Sequence, residues 1–191
     1  MKISNYIDQR WSPRAFSEQK VEHEVINSIL AAAGRAPSAF NEQPWRYIIG
    51  EKGSTTYDQI LSCLVEWNQK WASTAPILII AVASERFEKN EKPNPHAWYD
   101  LGASVAHLSM KAFEHDLYLH QMAGFDPKKA KSAFHIPESF SAATAIALGY
   151  QGSKERLPKD IAAQEKGVSS RKEISTFAFT GSWGNSFLTT T

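Results

Sequence analysis

Cysteine is almost missing from this chain: a single residue, Cys63, stands among 191. One thiol cannot close an internal disulfide, and there is no CxxC or other thiolate cluster. A stapled secreted scaffold and a thiolate zinc site are both excluded. An excess of one charge is missing too. The 21 Lys and Arg residues are balanced by 20 Asp and Glu, for a formal net charge of +1. A general nucleic-acid binder would need a basic stripe to neutralise phosphates. Long apolar runs are also absent. The longest, Ala75 to Ala83, falls far short of the roughly 20 residues that a membrane helix requires. The first residues are interrupted by Asp8, Arg10 and Arg14 and hold no apolar signal core. The expectation is a cytoplasmic protein with no nucleic-acid partner and no membrane association.

Familiar catalytic signatures are equally scarce. The histidines, His23, His96, His107, His115, His120 and His135, include no HExxH and no acidic partner at metal-ligand spacing, so no metal site is expected. There is no GxSxG and no P-loop, which removes support for a nucleophile-elbow hydrolase or a P-loop nucleotide site. No strand–GxGxxG–helix unit supports a Rossmann site. Cys63 lies in an apolar helical stretch and reads as a buried structural thiol rather than a nucleophile.

What the chain does have is apolar and aromatic mass. Apolar residues make up 42%, with 6 Trp, 10 Phe and 6 Tyr. That suffices for one folded domain over residues 1–191, since no repeat or composition shift marks a boundary. Val25, Ile26, Ile29, Leu30 and Ala33 fall on one helical stripe in a segment from Val21 to Ala33 that stops at Gly34. Trp45 to Ile49 reads as a short strand, Tyr57 to Trp71 as a helix, and Ile77 to Ala83 as a buried strand. After a charged loop, Ser84 to His96, Asn94 and Pro95 suit the start of a helix from Ala97 to Leu117. Its small residues Gly102, Ala103 and Ala106 would let another element approach closely. Tyr118 to Ala123 and Ala143 to Leu148 read as strands, with a short helix from Pro127 to Phe134 between them. From Gln151 onward the chain is polar and irregular. The class is α+β with a C-terminal extension, 151–191.

Two clusters could carry binding chemistry. Arg10-Trp11-Ser12-Pro13-Arg14 places two guanidinium groups and a hydroxyl together after a short helical segment. Such a set suits a phosphate, and it equally suits a solvated basic patch. The loop Ala36 to Trp45 offers Ser38, Asn41 and Gln43, neutral donors and acceptors fit for a polar heteroaromatic ring. The same residues also build turns by bonding their own backbone.

Taken in order, RWSPRAF (from Arg10), APSAFNEQPWRY (from Ala36), Asp100-Leu101-Gly102-Ala103, HQMAGFD (from His120) and ALGY (ending at Tyr150) resemble the nitroreductase family of FMN flavoproteins. The resemblance implies an α+β sandwich with a mainly antiparallel central sheet flanked by helices. It also implies an intertwined homodimer with FMN at the subunit interface and the 151–191 extension packed on the partner subunit. The implied activity is ping-pong electron transfer from NADH or NADPH to a small-molecule acceptor such as a nitroaromatic or quinone, with the chemistry on flavin N5 and no catalytic side chain. By the same resemblance, Arg10, Trp11 and Ser12 belong to the ribityl-phosphate motif, and Arg14 reaches the pyrimidine side of the flavin. Pro37, Ser38, Ala39 and Asn41 match the loop that serves the partner's FMN. Asn68 matches an asparagine that contacts the ring. Gln121, Met122, Ala123 and Gly124 match the strand end along the isoalloxazine, and Arg171 matches the basic residue that completes the phosphate site.

Two positions depart from the family pattern. Several members place a lysine where Trp71 stands, which would leave Arg14 alone to stabilise negative charge on the flavin. Some place an acidic residue where Ala123 stands. Alternatives within the resemblance are a dehalogenase-like flavoprotein of the same fold and a flavin-binding sensor or carrier without significant turnover.

Overall fold

Four strands organise the computed structural model, which describes residues 3–187. They are β1 (Trp45–Glu51), β2 (Ile77–Ser84), β3 (Leu117–Met122) and β4 (Phe140–Tyr150). They form one sheet in the order β1-β2-β4-β3 with every pair antiparallel. Antiparallel strands commonly alternate apolar and polar residues because one face meets water. β2 does not alternate: every residue from Ile77 to Ala83 is buried. Both faces of the sheet must therefore be covered, and helices cover them.

On one face, Ile77, Ile79, Ala81 and Ala83 meet α2 (His23–Ala33) and α5 (Ala97–Glu114). The link is polar as well as apolar. Ser104 Oγ on α5 donates to the Ala33 carbonyl at 2.9 Å, so its 2.7 Å bond to Tyr47 takes the tyrosine proton. On the other face, Leu78, Ile80 and Val82 meet α3 (Thr55–Cys63), α4 (Glu66–Ala72) and α6 (Pro127–Ala133), together with Phe16. Trp71 is fully buried at 0% exposure, stacked on Phe16 and tilted against His120 at a ring separation of 4.5 Å. It belongs to this core.

The helix expected from Tyr57 to Trp71 is two helices. Leu64 and Val65 are extended between α3 and α4. Leu64 bridges Phe125, and the Val65 N–H donates to the Gly124 carbonyl at 3.1 Å. This cross-chain pairing outweighs helix continuation at a β-branched residue. Local capping fixes the neighbours: Ser54 Oγ accepts the Tyr57 N–H at the start of α3, and Asp126 accepts two amides ahead of α6, whose first residue is Pro127. The Asn94 side chain accepts the His96 N–H, but α5 itself begins at Ala97 and ends at Glu114, so Leu117 opens β3. Cys63 is buried, and burial pushes its thiol up.

A short helix, α1 (Ile3–Gln9), precedes the sandwich, and α7 (Lys159–Ala162) follows it. Leu157 and Ile161 are buried in the same core as Phe16, so the start of the C-terminal segment packs on its own chain. Farther on, Ile174, Phe177 and Trp183 are exposed. Among the described residues no helix is long and apolar enough to cross a membrane.

Gly50 on β1 shows how tightly one helical layer seats. A Cβ there would lie 2.5 Å from both the Cα and the N of Tyr57. Tyr57 cannot yield, because its hydroxyl donates to the Ala75 carbonyl at 2.8 Å and burial pushes its pKa to about 12. Gly50→Ala is expected to lower the stability measured by urea unfolding by about 2–3 kcal/mol, the cost of overpacking against backbone; an unchanged midpoint would contradict this packing.

Candidate functional site

The segment after α1 leaves the helix at Arg10, whose N–H still bonds the Tyr6 carbonyl, and crosses the sheet edge before Phe16 enters the core. Three separate contacts hold it. The Gly152 N–H donates to the Ala15 carbonyl and the Ser17 N–H to the Tyr150 carbonyl, both at 2.9 Å, which lays the segment along the end of β4. His120 on β3 bonds the Pro13 carbonyl at 2.9 Å. Glu165 Oε1, after α7, accepts the Arg14 and Ala15 amides at 2.7 and 3.0 Å.

These contacts open a cavity of about 430 Å³. Arg10, Trp11, Ser12 and Arg14 line one side, His120 the sheet side, and Gln164, Lys166, Gly167, Ser169 and Arg171 the other. Arg10 Nη1 donates to Ser12 Oγ at 3.3 Å, so the two donors expected to share a phosphate are already adjacent. Arg171 approaches from the far end of the chain. Gly167 has a φ of +75°, a left-handed conformation suited to a residue without Cβ, and it turns the segment between Glu165 and Arg171.

His120 was not among the residues expected from the sequence, although strand alternation places it with Tyr118 and Met122 on the face that carries Trp71. Its carbonyl partner accepts only, so Nδ1 carries the proton. Burial, chiefly, and then the Arg14 charge hold its pKa below the ordinary value, while the bond to Pro13 opposes them. The site therefore favours a neutral ring. Gln164, Glu165 and Lys166 were also missed; they lie in a polar segment with no periodicity to mark them.

The other expected residues fall in two further places. At the end of β3, Gln121 and Ala123 are exposed, while the Met122 side chain is buried in the core. Asn68 on α4 is half-buried. Its Nδ2 donates to the Gly124 carbonyl at 2.9 Å, and its Oδ1 accepts from Trp71 Nε1 at 3.3 Å. A Cβ on Gly124 would lie 2.6 Å from Asn68 Nδ2. Asn68 thus fastens the strand end to α4, and the Gly124 N–H has no partner among the described residues.

Pro37, Ser38, Ala39 and Asn41 lie outside the cavity lining. Their loop is strained: Phe40, Asn41 and Gln43 have φ of 55°, 58° and 52°. Such conformations persist only when the surroundings impose them. Here the Asp100 carboxylate, 3% exposed, accepts the Ala39 N–H at 3.0 Å, and Ser38 Oγ accepts the Gln43 N–H at 3.0 Å. Phe40 stands 93% exposed, meeting only the edge of Phe87 among the aromatic rings described.

Because the His120 pKa is lowered from its usual 6.5, the sign of its pH dependence follows. Above the unfolded value both states are neutral. As pH falls below it, the unfolded chain binds a proton that the folded site resists, and stability is lost until the folded pKa is passed. The urea midpoint is expected to fall between about pH 7 and 5, and to fall less in His120→Asn, which keeps an N–H for Pro13 but does not titrate. Equal losses in the two proteins would remove His120 from the acid response.

Comparison with known proteins bears on the same regions. The model of the nitroreductase family matches residues 7–61, which include the Arg10 loop and the strained loop. An uncharacterized 15.4 kDa protein of Mycolicibacterium smegmatis is 31% identical over 147 residues, covering 73% of this chain and 98% of that protein. An NADH dehydrogenase of Thermus thermophilus is 24% identical over 187 residues, covering 78% and 89% respectively. A crystal structure of an oxidoreductase containing FMN superposes with a TM-score of 0.90 at 32% identity, covering 97% of this chain and 94% of that one. The sandwich, the arginine loop at its edge and a likeness that runs nearly the full length agree, and the chain belongs to the nitroreductase family.

Proposed function

We propose that this oxidoreductase binds FMN in the arginine-lined cavity and uses NADH or NADPH to reduce a small-molecule acceptor such as a nitroaromatic or a quinone, in alternating half-reactions. The observation that carries this reading is the convergence of Arg10, Ser12, Arg14 and Arg171 on one cavity from opposite ends of the chain. The donor set fits the cofactor. A phosphate dianion is matched by forked guanidinium donors and a hydroxyl, and Glu165, the carboxylate that pairs with Arg14, is spent on backbone amides and that guanidinium. The FMN and NADH named for two relatives support the same pairing of cofactor and reductant.

When bound, FMN supplies the two-electron chemistry, so the chain needs no acid–base pair of its own. Arg10, Ser12 and Arg171 would hold the phosphate, and Trp11 would pack beside it. Arg14 would offer a fixed positive charge to the pyrimidine edge, which favours the reduced cofactor. Gln121 to Gly124 would flank the ring, with the unpartnered Gly124 N–H as a donor and Asn68 keeping the strand end in place.

The working unit in this reading is a homodimer. Pro37, Ser38, Ala39 and Asn41 would then serve the partner's cofactor, held in shape by Asp100. α5 leaves room for a second copy: Gly102 and Ala106 are exposed, and a Cβ on Gly102 would meet nothing within 4 Å. The exposed Phe177 and Trp183 of the C-terminal extension supply further apolar surface for the partner subunit.

The purified protein is expected to be yellow, to sediment as a dimer, and to lose its visible flavin band on anaerobic addition of NADH or NADPH. Failure to take up FMN, or bound FMN that neither nicotinamide reduces, overturns the proposal. Arg10→Ala and Arg171→Ala should each weaken FMN binding, measured by equilibrium dialysis, about tenfold or more. That is the scale of one lost charge-assisted hydrogen bond of about 1.5 kcal/mol.

A further inference from the structure

Glu165 does more at this site than tie two loops together. Its side chain is 5% exposed, and its two oxygens have different surroundings. Oε1 takes both the Arg14 and the Ala15 amides. Oε2 is buried, makes no hydrogen bond among the described residues, and lies 3.8 Å from Arg14 Nη1. A neutral amide at this position would satisfy the two N–H groups through its own oxygen. What the carboxylate adds is a negative charge beside the guanidinium, in a place where water screens it poorly.

The same residue sits on the segment that completes the cavity. Leu157 and Ile161 seat that segment in the core, Glu165 fastens it to the Arg14 amide, and Gly167 turns it so that Arg171 reaches the cavity. Arg14 Nη1 also approaches the Gln164 carbonyl at 3.5 Å. Beyond Ile161, Glu165 makes the two shorter of the hydrogen bonds that tie the segment to the Arg10–Ala15 loop before Arg171 arrives, the Gln164 carbonyl making the third.

We propose that Glu165 is a positioning residue with two effects: its charge lowers the positive potential that Arg14 presents to the cofactor, and its hydrogen bonds latch the segment that carries Arg171. The first effect rests on the FMN reading above; the second does not. A negative charge near the pyrimidine edge opposes the reduced cofactor more than the oxidised one, so Glu165 holds the flavin midpoint potential down.

Two substitutions separate the effects. Glu165→Gln keeps an acceptor for the Arg14 and Ala15 amides and removes the charge. Its holoprotein should favour reduced over oxidised FMN about tenfold more than the parent, an upward shift of about 30 mV for a two-electron couple, read by equilibration with a reference dye. Glu165→Ala loses the latch, and trypsin should then cut after Lys166 and Arg171 several-fold faster in the FMN-free protein. Glu165→Gln should be cut at the parent's rate. An unmoved potential in a Glu165→Gln protein that still binds FMN overturns the charge effect and leaves the cofactor reading intact. A parent protein that binds no FMN removes that reading and the charge effect with it, while the trypsin comparison still decides the latch. Unchanged cleavage in Glu165→Ala overturns the latch.

Discussion

From Ile77 to Ala83, β2 has no polar side chain to offer water on either face, and the rest of the architecture answers that condition. Burying one such side chain is worth about 1.5–3 kcal/mol, so leaving either face bare would cost more than a domain of this size can spare. Two helical layers follow, and with them the positions of everything that matters at the edges. The α2–α5 layer holds Asp100 beneath the strained loop. The opposite layer holds Trp71 beneath His120, and His120 in turn reaches the Pro13 carbonyl. The candidate site is therefore assembled at the rim of a core whose two sides are both dry.

Burial made much of this legible from the order of apolar residues. The ILIIAVA run announced β2 and the helical stripe at Val25–Ala33 announced α2, because those patterns follow directly from which faces meet the sheet, while Asn94 and Pro95 announced the start of α5. Where tertiary contacts compete with local preference, the sequence was silent. Nothing in Cys63-Leu64-Val65 forecasts that the chain will leave the helix to pair with Gly124 and Phe125. Trp71 looked like a departure at a binding position. In the fold it is the ring on which Phe16 and His120 rest, so the loss of a cation there is also the gain of a core residue.

The site divides in the same way. Arg10, Ser12 and Arg14 stand together in the sequence, a grouping that suits a phosphate or a solvated basic patch alike, and Arg171 could be named only through the family resemblance. His120 and Glu165 leave no pattern, since their role depends on what lies beside them after folding. One is held toward neutrality by burial and by Arg14; the other is a carboxylate divided between amides and a guanidinium. The strained loop is intermediate. Its residues matched a motif, but its left-handed turns at Phe40, Asn41 and Gln43, and the buried Asp100 that supports them, belong to the structure alone.

The hydrogen bond between Arg14 and Glu165 joins residues 151 positions apart. Contacts of such separation form late, since the loop they close must first be ordered. During synthesis the arginine loop is made 151 residues before the carboxylate that orders it, and Arg171 follows later still. The last strand of the sheet ends at Tyr150, before the far wall of the cavity, Gln164 to Arg171, is made. A chain that stopped after β4 would carry the arginine loop without Gln164 to Arg171, and its cluster of positive charge would lie open on one side.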